Sequence, residues 1–169
     1  MNGNGPPFYG KYRGKVTDNA DLLMLGRVRA TVQDVYGDEE SGWAMPVSPY
    51  AGKGVGLFLL PPVGASVWFE FEHGDPDYPI WSGCFWAEGE LPVMSAPPLL
   101  PYTKVLKTDQ CTITLDDTPG VGGITIETTV GTGAKVVMNL DGVEITCSAN
   151  KVSISLVSVS VNDGALEVI

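Results

Sequence analysis

A chain of 169 residues has room for one ordinary domain or two small ones, and too little material for two independent cores of ordinary size. A formal charge of -10 argues against nucleic-acid backbones or anionic lipid as partners, since both repel an acidic surface. A hydrophobic fraction of 44% argues against disorder, and 21 glycines with 13 prolines point to a turn-rich β protein.

No segment sustains a helical period. Apolar residues alternate or come in short runs bounded by Gly, Pro, Asn and Asp. After a polar start come GKYRGKVTDN and LGRVRATVQDVY, the latter placing Leu25, Val28, Val32 and Val35 among polar residues as in a twisted strand. An acidic loop, GDEESG, leads to WAMPVSPYAGKGVG, a strand breaking into a glycine loop. Next, LFLLPPVGASVWFEFEHGD turns into the most aromatic strand, with YPIWSGCFW as its hairpin partner. In VWFEFE, Val67, Phe69 and Phe71 share the face expected to meet the core. Across the hairpin, alternation groups Trp81, Gly83 and Phe85 on one face and Ile80, Ser82, Cys84 and Trp86 on the other. About five strands in this span suit a closed barrel of the OB type, over residues 11–91 behind an N-terminal extension of residues 1–10.

Residues 92–106 carry Pro92, Pro97, Pro98 and Pro101, which favour a stiff extended connector. Beyond it, residues 107–169 hold almost no aromatics and read as short alternating strands: CTITLDD, GITIETTV, AKVVMNLDG, VEITCS, KVSISL, VSVSV and ALEVI. Val143, Ile145 and Cys147 oppose Glu144, Thr146 and Ser148; Val152, Ile154 and Leu156 oppose Ser153 and Ser155. The phase slips between Leu156 and Val157 before resuming as Val157, Val159 and Val161, which predicts a bulge or corner turning the strand onto a new wall. Such strands hold too little bulk to bury an apolar face alone. An elongated prism in which identical chains wrap one axis covers that face and protects the strand edges; a small single-chain β-sandwich is the alternative.

The chemistry-bearing residues are few. EHGDPDYP holds the single histidine, His73, beside Asp75 and Asp77, all ligand-type or acid/base groups. Yet His73, Gly74, Asp75, Pro76 and Asp77 are also what a hairpin turn requires: conformational freedom, a fixed φ, and Asx side chains that bond nearby amides. The turn reading is preferred. AGKGVG lacks the spacing and following helix of a phosphate loop and reads as a barrel loop with close backbone approach. Cys84, Cys111 and Cys147 are widely spaced and form neither a zinc knuckle nor a disulfide framework, so they are expected to pack as small apolar residues. The N-terminus has no basic region followed by an apolar run, and no segment has the length of a membrane span, so synthesis in the cytoplasm without a signal peptide is expected. No catalytic residue, cofactor or metal site is expected.

GKVTDN, GRV, a Trp-led strand, AGKGVG, PPVGASVWFEF and GDPDYPIWSG, in register over residues 10 to about 90, together resemble the OB domain of central spike proteins of contractile machines. That group comprises phage baseplate V proteins, T4-type tail spikes, type VI secretion spikes of the VgrG family, and spikes of extracellular contractile injection systems. The C-terminal strands, closing on NDGALEVI, are similar in style to the trimeric β-helix or β-prism needle of those spikes. The resemblance implies an all-β homotrimer, with OB-fold barrels around a base and a needle projecting distally. Two departures matter. Prolines connect OB region and needle where T4-type spikes carry a lysozyme domain, so cell-wall hydrolysis is not expected. About ten residues precede the OB region where VgrG chains carry a hub domain, so the hub is expected to be a separate protein. Some short spikes bind a tip metal through histidines on their last strands; none follows His73 here, so no tip metal is expected.

The expected function is mechanical: a trimeric spike joining a hub to the tip of a phage tail or injection baseplate and puncturing the target membrane on sheath contraction. The expected needle interior is Val143, Ile145, Val152, Ile154, Leu156, Val159 and Val161. Ala165, Leu166, Val168 and Ile169 form the expected end, where a PAAR-type tip protein would sit. The competing reading is a monomeric OB-fold module that binds single-stranded nucleic acid or oligosaccharide through its aromatics, against which the acidic balance argues.

Overall fold

The structure, a computed structural model, describes residues 6–92 and 101–168. The chain divides after Glu90 into two units.

The first unit contains β1 (Tyr12–Asp18), β2 (Arg29–Thr31), the short helix α1 (Gln33–Tyr36), β3 (Met45–Pro46), β4 (Ala51–Gly52), β5 (Val55–Gly56), β6 (Ser66–Phe71) and β7 (Pro79–Phe85). Five strands pair in the order β2-β1-β6-β7-β3, antiparallel except for the parallel β3–β7 pair. Immediately before β2 and β3, Val28 and Ala44 exchange both backbone hydrogen bonds at 3.2 and 2.8 Å. That bridge joins the two ends of the sheet into a small OB-like barrel. Val16, Val28, Ala30, Val32, Val67, Phe69, Phe71 and Trp81 are buried inside it, and the Trp81 indole N–H donates to the Gly26 carbonyl at 3.1 Å. The face Val67, Phe69, Phe71 therefore points inward as its alternation requires.

The first unit departs from the sequence pattern at two points. LGRVRATVQDVY is not one strand: the Val32 carbonyl accepts from the N–H groups of Val35 and Tyr36, starting α1, and Gly37 at φ +62° ends it. Val35 leaves the strand pattern, and Leu25 is exposed in the preceding loop. In the β6–β7 hairpin the register shifts between Trp68 and Phe69, so Trp68 faces Gly83 while Phe69 faces Trp81. The extra residue, Ser82, reverses the phase. Trp81 enters the core, whereas Phe85 lies against Trp68, with ring centroids 4.7 Å apart.

The second unit is one antiparallel meander in sequence order: β8 (Thr103–Lys107), β9 (Cys111–Asp116), β10 (Gly123–Thr128), β11 (Ala134–Asn139), β12 (Gly142–Cys147), β13 (Asn150–Ile154), β14 (Val159–Val161) and β15 (Leu166–Val168). At about 4.8 Å per strand, the eight strands stack over roughly 34 Å. Strands of five or six residues through β13 give way to three in β14 and β15, so the sheet narrows toward its last strand.

β8 was hidden within the expected connector. The described part of that stretch beyond Pro101 is Thr-, Val- and Leu-containing backbone that pairs fully with β9. The phase slip at Leu156 and Val157 is a hairpin turn within the same sheet, not a corner onto a new wall. The Ser155 N–H donates to the Ser158 carbonyl at 2.9 Å, and the Ser155 hydroxyl accepts the N–H groups of Val157 and Ser158. Serine thereby supplies the turn chemistry that Gly or Pro usually signals.

Candidate functional site

Register in the second unit sorts every strand residue onto one of two faces. Across the sheet, Leu106, Ile113, Ile126, Val136, Ile145, Val152, Val161 and Leu166 stand opposite one another in one continuous row. Beside it run Lys104, Leu115, Ile124, Met138, Val143, Ile154, Val159 and Val168. Every position but Lys104 is apolar, and Lys104, at the β8 end, pairs with Asp117. Among the described residues none of this face is buried: Ile145 and Ile154 are each 47% exposed, and every buried apolar side chain lies at or before Trp81. The opposite face is polar apart from Val105 and Val137, with Thr112, Thr114, Thr125, Glu127, Lys135, Glu144, Lys151 and Ser153 on it. Lys135 lies 4.0 Å from Glu127, and Lys151 lies 3.8 Å from Glu144 and also pairs with Asp163. An apolar face this continuous marks a surface that something else covers.

Of the residues singled out from sequence, Val143, Ile145, Val152, Ile154, Val159 and Val161 lie together on this face. Leu156 does not; it sits in the turn, 94% exposed. Leu166 and Val168, placed at the tip, extend the same two rows into β15, with Ala165 in the turn before it; Ile169 falls outside the described residues. Sequence reasoning missed the contribution of β8 to β11, although the alternation in CTITLD and GITIET carried it. The three cysteines are exposed in the single chain instead of packed, and Cys111 and Cys147 lie at one end of the apolar face.

The EHGDPDYP stretch joins β6 to β7. His73 and Gly74 take positive φ, +53° and +77°, closing a short 3-10 turn over Glu72–Gly74. The Asp75 carboxylate accepts the Asp77 N–H at 3.0 Å, the Asp75 N–H donates to Glu72, and the Pro76 carbonyl accepts the Tyr36 hydroxyl at 2.6 Å. A Cβ on Gly74 would come within 2.7 Å of Pro7, so only glycine lets the N-terminal segment lie across the turn. Burial, followed by the nearby Asp77 and Asp75 carboxylates, pushes the Tyr36 hydroxyl up to about 12. The Asp75 carboxylate thus braces the backbone of the turn. Among the described residues no group of three His, Cys, Asp or Glu side chains converges as a metal site. AGKGVG forms the β4–β5 hairpin, in which a Cβ on Gly56 would come within 2.9 Å of the Tyr50 carbonyl.

Elsewhere on the barrel, Asp21 holds the loop that follows β1. Its carboxylate accepts from Arg27 Nη2 at 2.6 Å and Nε at 3.1 Å, and from the N–H groups of Leu23 and Leu25. The Arg27 pairing, helped by these backbone donors against the cost of desolvation, keeps the Asp21 carboxyl far below the usual carboxylate range. Arg13 lies over both Trp68 and Phe85, 5.5 and 5.3 Å from the ring centroids, and covers the outer aromatics. Among the described residues no helix is long and apolar enough to cross a membrane.

Comparison with known proteins gives a match to each unit. Residues 12–86 match the family described as the type VI secretion system/phage-baseplate injector OB domain, and residues 103–167 match the phage baseplate V C-terminal trimerisation domain. A curated relative, the type VI secretion system spike protein VgrG4b of Pseudomonas aeruginosa, is 41% identical over 63 residues, which is 35% of this chain and 8% of that protein. With an injector OB domain followed by a trimerisation domain whose apolar face is uncovered in one copy, the chain belongs to the phage baseplate V family that the two matches share.

Proposed function

We propose that three copies of this chain form the central spike of a contractile phage tail or phage-like injection baseplate. The spike joins a hub at the OB units to the distal tip and is driven through the target envelope when the sheath contracts. The observation that carries this reading is the two-row apolar face from β8 to β15, which no described part of its own chain covers. In a threefold prism it faces the axis, and the Thr-, Ser- and Lys/Glu-lined face meets water. Narrowing of the sheet toward β15 suits the leading end of a needle, and the outer edge of β15, unpaired among the described residues, suits a separate PAAR-type tip protein. Its role is mechanical, and no catalytic step is assigned to it.

Light scattering on the purified chain tests the assembly: the expected mass is three times 17.9 kDa, and a monomer overturns the reading. In assembled particles, antibodies against residues 103–168 should label the distal point of the baseplate. Labelling along the sheath would reject the placement.

A further inference from the structure

The two margins of the second unit's sheet differ in chemistry, and the difference gives the interface a direction. Turns at one margin follow β9, β11 and β13, and present Val121, Leu140, and the pair Leu156 and Val157, each between 73% and 94% exposed. Nothing in the chain's own described structure buries them. Turns at the other margin follow β8, β10, β12 and β14, and are built from Thr108, Asp109, Gln110, Thr129, Gly131 and similar residues, with Val130 as their one large apolar side chain. Just inside that polar margin, the apolar face ends in a third row of small side chains, Cys111, Thr128, Ala134, Cys147 and Asn150, facing one another across five strands. Leu, Ile, Val and one Met fill the other two rows, apart from Lys104 at the β8 end.

A threefold ring is built from heterologous contacts, in which one surface of each copy meets a different surface of the next. The sheet supplies two such surfaces. Apolar turns recur every second strand, about 9.6 Å apart, and the small-residue row offers a low shelf across the same strands, with Cys111 on β9, which leads into the Val121 turn, and Cys147 on β12, which follows the Leu140 turn. We propose that the apolar turn margin of each copy lies over the small-residue row of the next, so that Val121 sits at the level of Cys111 and Leu140 at the level of Cys147. The proposal rests on the trimer reading and adds the direction and register of its corners. It also gives Leu156 a role: it closes a corner at the level of β13 and β14.

Oxidative cross-linking of the full chain tests this, in a Cys84→Ser background that removes the cysteine of the first unit. Leu140→Cys should form disulfide-linked dimers and trimers on a non-reducing gel. Adding Cys147→Ser should abolish the ladder and adding Cys111→Ser should leave it; Val121→Cys should show the reverse dependence. A ladder that survives Cys147→Ser, or no ladder in a variant that is still trimeric by light scattering, overturns the corner assignment and leaves the trimer standing. A monomeric parent chain overturns both. As a second measurement, Leu140→Lys should lower the trimer's thermal midpoint by several degrees while Val130→Lys, on the opposite margin, leaves it within a degree or two; equal effects would also reject the assignment.

Discussion

The two units of this chain bury apolar surface in different ways. Residues before Glu90 enclose nine apolar side chains, from Val16 to Trp81, in a barrel whose last seam is the Val28–Ala44 bridge. The later residues are at least as rich in β-branched side chains and enclose none among those described. The difference is one of topology. A barrel curls a sheet until one face meets itself, whereas an open meander keeps its two faces apart and leaves the apolar one to another molecule. Stability should therefore be intramolecular in the first unit and collective in the second. All four tryptophans, Trp43, Trp68, Trp81 and Trp86, lie in the first unit, so fluorescence reports on the barrel alone.

The largest effect should come from Ile154→Asp. Ile154 stands between Val143 and Val159 in register, with apolar neighbours on both sides in its row. In a trimer the change places three unpaired carboxylates near one axis, at a cost upwards of ~3 kcal/mol per copy. Light scattering should give a monomer and far-UV circular dichroism should lose the second unit's β signal, with tryptophan fluorescence unchanged. The conservative Ile154→Val, costing about 0.5–1.5 kcal/mol, should remain trimeric. A trimeric Ile154→Asp of unchanged midpoint would refute an axial apolar face.

Phe69→Ala sharpens the comparison from the other side. Phe69 is fully buried, and truncating it removes the largest such side chain in the core, at about 3–5 kcal/mol. The fluorescence-detected midpoint should drop steeply while the trimer mass persists, because residues 103–168 contribute no side chain to that core. Loss of the trimer in this variant would mean that the barrel is needed for assembly.

How much of this could be read from the sequence follows from where the information resides. Alternation within a strand is local, so Val67, Phe69 and Phe71 inward and Val143, Ile145, Val152 and Ile154 on one side were legible. GDPDYP announced its turn because Asp75, Pro76 and Gly74 each carry a specific backbone constraint. Pairing across strands is not local. The bulge at Ser82, which sends Trp81 in and Phe85 out, depends on the pairing with β6 and leaves no mark in IWSGCFW. SISLVSVSV conceals its turn because a single serine hydroxyl, that of Ser155, holds it, and Leu156 fits the alternation of a strand. β8 was masked by the prolines before it, and with it the first members of both apolar rows, Leu106 and Lys104.

The smallest effect should come from Asp21→Asn, because the loop Asp21 organises presents exposed Leu22 and Met24 and contributes little to either buried surface. Its consequence is local opening. The carboxyl of Asp21 titrates lower in the folded loop than in an open one, chiefly because of Arg27. A group with a depressed folded value contributes its stability above the ordinary carboxylate value, near 3.9, and loses it as pH falls from there toward the folded value. At pH 7, amide exchange of Leu23 and Leu25, which donate to Asp21, should be faster in Asp21→Asn than in the parent, with the trimer mass and the barrel midpoint little changed. Between pH 7 and pH 5 that gap should stay constant, and below about pH 4 it should shrink as the parent's carboxyl begins to protonate on opening. A gap that persists undiminished at pH 3 would assign the loop's order to packing against Arg27 and Trp43, whose ring centroid lies 5.4 Å from the guanidinium, and remove charge from the account.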